Sequence, residues 1–324
     1  MSIIDTIKAP IKEELKQFDQ TFRQAIHSDI KLLNIVIHFI IRRKGKQMRP
    51  ILVFLSAKLT GEITPSTYIA ASMIEMLHTA SLIHDDVVDE SYERRNYFSI
   101  NALWKSKMAV LIGDYLLAQG LLISVKNNAY DILRIVSDAV REMSEGEILQ
   151  MEQSRKLSIT EEKYFDIIRR KTATLIKACA ASGARSVNAS DDDMEKMAQY
   201  GEKLGIAFQI QDDLLDYNLE SKAGKPSGND IKEKKITLPL IHSLQKANPL
   251  ETKSILSLVN KGKANAKALH EITQFIVSKG GFEYSIHKMN EYRDAAIRIL
   301  DSFPDSDAKR SLRNFALFTT NRTK

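Results

Sequence analysis

Two short aspartate clusters have the spacing that suits a divalent metal ion. The first lies in Leu-Ile-His-Asp-Asp-Val-Val-Asp-Glu, with carboxylates at Asp85, Asp86 and Asp89. Residues four apart share a helix face, so Asp85 and Asp89 are expected side by side, with Asp86 next to them. A hard cation with oxygen ligands would relieve the repulsion among these groups and keep positions open for a substrate's phosphates. A solvated acidic turn would explain one such cluster equally well.

A second cluster with the same spacing changes that balance. It lies in Phe-Gln-Ile-Gln-Asp-Asp-Leu-Leu-Asp-Tyr, with carboxylates at Asp212, Asp213 and Asp216. Each cluster follows an apolar run of helical character, which predicts that each lies at the end of a buried helix. Two such triads facing each other across a cavity could hold magnesium ions that bridge one diphosphate. The pair therefore predicts Mg²⁺ as cofactor and a polyanionic substrate.

Basic residues occur in the segments where a polyanion would need them. Arginine forks match phosphate oxygens, and lysine supplies a mobile point charge. Gly45-Lys-Gln-Met-Arg-Pro50 is expected to be a short loop, and a helix is expected to carry Lys171 and Thr172. The candidate phosphate-binding cations are Lys46, Arg49, Arg94, Arg95, Lys171, Lys225 and Lys235. Taken singly, each could be a solvated surface charge, so their order around the aspartates carries the argument.

Helical periodicity dominates the elements that must position these residues. The predicted helices are Ile69–Asp89, Ala109–Val125, Tyr130–Met151, Glu161–Ala181, Asp191–Asp216 and Tyr284–Leu300. Capping-box spacing at Ser158 and Ser190 marks two helix starts, while Gly183 and the Gly280-Gly281 pair suggest helix ends. No run alternates with period two, so strands are at most a minor element. We expect one all-α domain over residues 1–324.

Composition excludes several classes of protein. Gly and Pro are scarce, at 13 and 7 residues, and the net charge of +6 comes with no nucleic-acid-binding module. The single Cys179 rules out an internal disulfide framework and suits a reducing compartment. The N-terminus has no apolar signal core, and the apolar stretch 30–41 is shorter than the roughly 20 residues of a membrane span. We expect a soluble cytoplasmic protein with no nucleic-acid partner.

The other aromatic and histidine residues give weaker signals. His84 directly precedes the first aspartates and is expected to pack or to bond to backbone. Trp104 is expected to be structural. No His-Glu-x-x-His or Cys/His spacing suggests zinc.

The motifs taken together resemble those of the trans-isoprenyl diphosphate synthases, or polyprenyl synthetases. The resemblance runs from about residue 10 to the C-terminus. It rests on GKQMRP, the DDxxD followed by an Arg pair, GDYLLA (113–118), GEILQ (146–150), KT (171–172), FQIQDDLLDY and GND (228–230). It implies the isoprenoid synthase fold, a bundle of about a dozen helices around a central cavity. It also implies a homodimer, with at most peripheral membrane association through the product.

The resemblance also implies a role for each matching residue. Isopentenyl diphosphate would be held by Lys46, Arg49, His78 and Arg95. The allylic diphosphate would be held by Arg94, Lys171 and Lys235 with Mg²⁺ on Asp85, Asp89 and Asp212, and Lys225 would add to substrate binding. Thr172 and Gln209 would face the carbocation that forms when diphosphate leaves. The chain departs from the family pattern at Asn96 and Lys234, where the family usually has Gly, so closure of those loops is expected to differ.

Three rival functions remain open from the sequence. A terpene cyclase also uses an aspartate-rich helix, but cyclases generally carry a different second metal motif with Asn, Ser and Glu. A non-catalytic partner of a heteromeric synthase would typically have lost aspartates from one motif, whereas this chain keeps all six. A ferritin-like carboxylate protein would need Glu-x-x-His motifs on two helices, and the sequence has only one, Glu75-Met-Leu-His78.

Product length is predicted from the residues one turn before the first aspartates. Ser81 and Ala80 precede Asp85 by four and five residues and are small, where short-chain synthases typically place an aromatic. Met76 lies further along and can line a channel without sealing it. The alternative is that Ala80 merely permits close helix packing. We expect an open channel and a long product, of hexaprenyl to octaprenyl size, with farnesyl or geranylgeranyl diphosphate as the alternative.

Overall fold

The chain folds almost entirely into α-helices, as its composition predicts. The computed structural model describes residues 2–42, 46–89, 93–94, 97–156, 159–217, 228–261 and 266–321. Within those ranges the only strands are Glu93–Arg94 (β1) and Tyr97–Phe98 (β2), which form a two-residue antiparallel ribbon. The expectation of an all-α protein with minor strands is confirmed.

The described residues form sixteen α-helices. They are α1 Ile3–Lys8, α2 Lys12–Ala25, α3 Lys31–Arg42, α4 Met48–Thr60, α5 Pro65–Val88, α6 Ile100–Lys126, α7 Tyr130–Lys156, α8 Glu161–Ile168, α9 Thr174–Ser186, α10 Asp191–Asp216, α11 Asn229–Lys232, α12 Leu238–Gln245, α13 Pro249–Asn260, α14 Ala266–Ser278, α15 Gly281–Leu300 and α16 Asp307–Thr320. A short 3₁₀ turn, Ala9–Ile11, joins α1 to α2, and a π-helical segment, Arg169–Ala173, joins α8 to α9.

The two helices that carry the aspartate clusters have clear start signals in the sequence. Thr64 caps α5, accepting a hydrogen bond from the Ser66 amide, and Pro65 occupies the first helical position. Ser190 caps α10, accepting a hydrogen bond from the Asp193 amide at 3.1 Å. Three aspartates in the first turn of α10 complement its helix dipole. The predicted bounds of α10 are therefore confirmed.

Two local predictions were wrong. Gly183 was expected to end a helix, but α9 continues to Ser186. A Cβ atom at Gly183 would lie 2.3 Å from the carbonyl oxygen of Val53, so this glycine permits close helix contact. The cap of α8 is Thr160, whose side chain accepts from the Lys163 amide, in place of the predicted Ser158, which lies outside the described residues. Both errors arise because a glycine or a serine signals several structures at once.

The chain divides into two compact units. Unit 1 comprises Met1–Val140, Lys177–Gln199 and Leu300–Phe315, and unit 2 comprises Arg141–Ile176, Tyr200–Ile299 and Ala316–Lys324. The core of unit 1 includes the fully buried residues 51–55 of α4 and the buried stretch 69–77 of α5. The core of unit 2 is an aliphatic and aromatic cluster that includes Tyr164, Ile210 and Tyr217. The expectation of a single domain stays a prediction.

One helix is more apolar than the sequence analysis recognised. Within the described residues, α6 is the one helix long and apolar enough to cross a membrane, judged by length and composition alone. Apolar core helices of other proteins pass the same test. Helix α6 is also broken at Lys105, whose φ of 66° interrupts the helical geometry. Only a third of its apolar stretch is buried, so much of this apolar surface is exposed.

Candidate active site

The first aspartate cluster lies at the C-terminal end of α5, in unit 1. Asp85 and Asp86 are in the last turn, and Asp89 is the C-cap residue, whose amide donates to the Asp85 carbonyl at 2.8 Å. Asp86 is buried, Asp85 is half-buried and Asp89 is exposed. The Ser81 hydroxyl donates to the Asp85 carboxylate at 3.4 Å, so these two side chains share a helix face. The predicted placement at the end of a buried helix is confirmed.

Helix α6 supports this cluster through His84. A Cβ atom at Gly113 would lie only 2.1 Å from the His84 ring nitrogen, so α6 can approach the ring only because position 113 is glycine. The same nitrogen lies 3.4 Å from the Val110 carbonyl oxygen and 3.5 Å from the Asp114 carboxylate. The prediction that His84 packs or bonds to backbone is confirmed, and the first two residues of the GDYLLA motif acquire a structural role.

The predicted isopentenyl-diphosphate residues of unit 1 are partly described. Lys46 is exposed ahead of α4, but Arg49 lies in the first turn of that helix, which corrects the expected loop. His78 is half-buried on α5, two turns before Asp85. Arg94 lies on β1, and its backbone pairs with Tyr97. Arg95 lies outside the described residues, as do residues 90–92 and Asn96.

The second aspartate cluster lies at the end of α10, in unit 2, and its members differ in their surroundings. Asp213 is buried and accepts hydrogen bonds from the Tyr164 hydroxyl at 2.6 Å and from the Gln209 amide at 2.8 Å. Burial raises the pKa of Asp213 to about 7, although both hydrogen bonds oppose that rise. Thr172 donates to the Gln209 carbonyl oxygen at 2.7 Å. A continuous hydrogen-bond chain therefore joins Tyr164, Asp213, Gln209 and Thr172.

Asp216, the third member, holds a neighbouring segment in place. Its two carboxylate oxygens accept from the backbone amides of Asn229 at 3.1 Å and Asp230 at 3.0 Å, at the N-terminus of α11. Asp230 in turn accepts from the Lys235 amide at 2.7 Å through its carbonyl oxygen. Asp216 thus fixes the backbone that presents Lys235. Asp212 and Asp216 are both half-buried, whereas Asp213 is buried.

Lys171 and Thr172 lie in the π-helical segment, where a regular α-helix was expected. The segment follows α8 and packs against two glycines. A Cβ atom at Gly146 would lie 2.7 Å from the Lys171 amide nitrogen, and one at Gly205 would lie 2.5 Å from the Ala173 Cα atom. π-Helical turns are rare and occur frequently at functional sites, because the extra residue redirects side chains. The predicted helix start at Glu161 is confirmed, but the predicted end at Ala181 and the regular α-helical geometry were wrong.

Unit 2 contains a cleft of about 620 Å³, counted to include its open mouth. It is lined by Lys171, Thr172, Gln209, Asp213 and Lys235, which the sequence analysis had already selected. Burial alone would lower the pKa of Lys235, but the carboxylates of Glu233, Asp230 and Glu147 raise it above the ordinary value. Lys225 lies outside the described residues.

Sequence analysis missed three residues of this cleft or its margin. Tyr164 and Asp230 line it, and Glu147 forms an ion pair with Lys171 at 2.5 Å. Glu147 and Asp230 belong to the GEILQ and GND motifs, so the motifs could have drawn attention to them. Tyr164 could not be found in this way, because its partner Asp213 is distant in sequence.

No metal site is complete within either cluster alone. Among the described residues, no three His, Cys, Asp or Glu side chains are grouped so that they could hold an ion by themselves. Asp85, Asp89 and Asp212 nevertheless offer the hard oxygen donors that divalent cations prefer, and none of the three is fully buried. Each of these carboxylates could ligate an ion that takes its other ligands from water and a phosphate-bearing substrate.

The residues predicted to set product length differ in exposure. Ser81 is half-exposed, directly beneath Asp85 on the same face of α5. Ala80 and Met76 are fully buried. A larger side chain at position 81 therefore has room that position 80 lacks, and the role of all three residues stays a prediction.

The comparisons with known proteins agree with this chemistry. The family model described as polyprenyl synthetase matches residues 30–276. The chain is 30% identical to octaprenyl diphosphate synthase of Escherichia coli (strain K12), over 99% of both proteins. It is 38% identical to the geranylgeranyl pyrophosphate synthase structure from Bacteroides thetaiotaomicron, with a TM-score of 0.85 over 99% of this chain and 100% of that one.

Two further solved structures are closer in fold. The decaprenyl diphosphate synthase from Rhodobacter capsulatus has a TM-score of 0.93 and 32% identity over 99% of both chains. The polyprenyl synthase from Caulobacter crescentus CB15, solved with calcium and isoprenyl diphosphate, has a TM-score of 0.91 and 30% identity over 99% of this chain and 98% of that one. A protein of this fold thus binds a divalent cation and a prenyl diphosphate. The chain has the isoprenoid synthase fold and belongs to the polyprenyl synthetase family of prenyltransferase enzymes.

Proposed function

We propose that the protein condenses isopentenyl diphosphate with an allylic diphosphate to make a long-chain all-trans polyprenyl diphosphate, releasing diphosphate. The observation that carries this proposal is the cleft of unit 2, where Lys171, Lys235 and a polar hydrogen-bond chain line one space. Lys171 and Lys235 supply the positive charge that a leaving diphosphate requires. Thr172 and Gln209 supply oxygen atoms that can face a carbocation.

The reaction needs no protein nucleophile. The allylic carbon–oxygen bond breaks, and Lys171 and Lys235 stabilise the charge that develops on the diphosphate oxygens. The double bond of isopentenyl diphosphate attacks the allylic cation, which forms one carbon–carbon bond, and a proton is then lost to the released diphosphate. Thr172 and Gln209 orient their dipoles toward the cation, because the Asp213 carboxylate holds the Gln209 amide. The reaction must proceed away from water, which would otherwise capture the cation.

We assign the metal role to Asp85, Asp89 and Asp212, with Mg²⁺ as the ion. Magnesium keeps several waters and binds through one or two carboxylates together with substrate phosphates, a pattern that suits this incomplete donor set. When bound, it would neutralise negative charge on the departing diphosphate. Lys46, Arg49, His78 and Arg95 are assigned to isopentenyl diphosphate, Arg94 to the allylic diphosphate together with Lys171 and Lys235, and Lys225 to substrate binding.

We propose a long product because the side chains beneath Asp85 are small. Ser81 leaves half-exposed space there, and no aromatic ring occupies position 80 or 81. Octaprenyl and decaprenyl synthases among the relatives support this choice. The alternative product is geranylgeranyl or farnesyl diphosphate, which the similarity to the Bacteroides thetaiotaomicron synthase favours.

We propose that the protein acts in the cytoplasm as a homodimer. The support is the exposed apolar face of α6, where Leu111, Leu122 and Val125 lie at helical spacing and are each about half exposed. A contiguous apolar face of this kind marks an interaction surface. A second copy of the chain would cover it, while the prenyl product would give at most peripheral contact with a membrane.

The experiment that tests the reaction measures diphosphate release from farnesyl and isopentenyl diphosphates in the presence of Mg²⁺. We expect robust turnover that EDTA abolishes and added Mg²⁺ restores. Asp85→Ala and Asp212→Ala should each lose nearly all activity while keeping the helical circular dichroism of the wild type. Asp138→Ala, an exposed residue of α7, is the matched control and should retain activity. Turnover that persists in EDTA would contradict the assignment.

A further inference from the structure

The GEILQ motif places a negative charge beside Lys171, at the margin of the cleft proposed to receive diphosphate. Glu147 is the second residue of that motif, and its carboxylate lies 2.5 Å from the Lys171 ammonium nitrogen. Both side chains are about one third exposed, so solvent and ligands can reach them. Glu147 also lies close enough to Lys235 to stabilise its charged form. One carboxylate thus interacts with both lysines assigned above to the allylic diphosphate.

The backbone around Glu147 makes this arrangement specific. Gly146 allows α7 to approach the π-helical segment so closely that a Cβ atom there would lie 2.7 Å from the Lys171 amide nitrogen. Gln150, one turn further along α7, accepts a second hydrogen bond from the Lys171 ammonium at 3.0 Å. Lys171 therefore has two acceptors on the same helix, and only one of them is charged.

We propose that Glu147 is a positioning residue that holds Lys171 before diphosphate binds and lowers the affinity of Lys171 and Lys235 for diphosphate. It occupies the ammonium group of Lys171 until a diphosphate takes its place, and it repels the diphosphate afterwards. Ground-state binding is thereby loosened, so inorganic diphosphate leaves readily after each condensation. The inference rests on the proposed function, and it concerns a residue to which neither that proposal nor the motif comparison gave a role.

Glu147→Gln tests this idea because the amide keeps the size and a hydrogen-bond acceptor but removes the charge. Gln150 continues to hold Lys171 in the variant. With one negative charge removed from beside two lysines, inorganic diphosphate with Mg²⁺ should bind about three- to tenfold more tightly by isothermal titration calorimetry. The kcat of the full reaction should fall because diphosphate release slows, while KM for isopentenyl diphosphate should stay within about twofold.

Two variants separate this role from a merely structural one. Glu142→Gln is the matched control, since Glu142 lies on the same helix and pairs with Arg169 at 3.3 Å with similar exposure. It should leave diphosphate affinity unchanged. Glu147→Asp keeps the charge and should return the affinity to within about twofold of wild type.

Diphosphate binding by the wild type tests the proposed function, and the comparison with the variants tests the role of Glu147. If wild type does not bind diphosphate at all, the proposed function itself is wrong. If wild type binds it and Glu147→Gln binds it equally or more weakly, the inference about Glu147 is overturned and the residue is only structural. Tighter binding by Glu142→Gln as well would show a general charge effect and would also overturn it.

Discussion

Replacing Tyr164 with phenylalanine removes the hydrogen bond that holds the buried Asp213 carboxylate. Burial and the neighbouring Asp213 raise the pKa of Tyr164 well above its ordinary value, so the phenol stays protonated and donates at 2.6 Å. The variant keeps the ring and deletes one oxygen. Of the two donors to Asp213, the Tyr164 hydroxyl is lost and the Gln209 amide stays. Above pH 7, where most of Asp213 is ionised, a hydrogen bond to this buried carboxylate contributes about 1.5–3 kcal/mol.

The expected loss in the free energy of unfolding follows from that figure. For a chain of this length, about 1.5–3 kcal/mol corresponds to a fall in Tm of roughly 2–4 °C, measurable by scanning calorimetry. Tyr284→Phe is the matched control in the same unit, because Tyr284 also donates to a carboxylate, Glu161, at 2.6 Å but is half-exposed. There the loss should be below about 1 kcal/mol, since solvent replaces the lost partner.

The same variant tests the hydrogen-bond chain in the reaction. A less firmly held Asp213 allows the Gln209 amide to rotate, so kcat should fall by about three- to tenfold with little change in KM for the allylic diphosphate. Tyr284→Phe should leave kcat unchanged. Equal losses of stability in the two variants, or an unchanged kcat in Tyr164→Phe, would refute the role given to this chain.

Two further predictions concern the substrate sites. In steady-state kinetics, Arg49→Ala should raise KM mainly for isopentenyl diphosphate, and Lys235→Ala should raise it mainly for the allylic diphosphate. Each increase should be about ten- to a hundredfold, because each variant removes one charge-assisted contact. Equal effects of each variant on both substrates would contradict this division of the two sites. Ser81→Phe should shorten the product to farnesyl or geranylgeranyl length at a near-normal rate, seen by product chromatography. Ala80→Phe should shorten the product as well, and it should lower the free energy of unfolding by about 1–3 kcal/mol because it overpacks a fully buried position. An unchanged product length in both variants would refute the proposed channel.

The placement of both aspartate clusters could be predicted because it depends on local patterns. The apolar runs before Asp85 and Asp212 specify buried helices, and the Ser190 cap fixes the start of α10. The order of the motifs was sufficient to predict the fold class and the family, because each motif is short and continuous in sequence.

The remaining features depend on contacts between distant residues. The π-helical turn at Arg169–Ala173 has no sequence signature of its own, and it packs against Gly146. Asp216 was grouped with the metal motif, yet its carboxylate is engaged by backbone amides of α11. Gly183 was predicted to end a helix because the sequence alone does not distinguish a glycine needed for close packing from a glycine needed for a turn.

The length of the product shows whether this chain elongates prenyl diphosphates and how far. Purified protein would be incubated with Mg²⁺, farnesyl diphosphate and labelled isopentenyl diphosphate, and the dephosphorylated products would be separated by reversed-phase chromatography. We expect all-trans chains of hexaprenyl to octaprenyl size. Products that stop at farnesyl or geranylgeranyl length would contradict the long-chain assignment, and the absence of any condensed product would contradict the account as a whole.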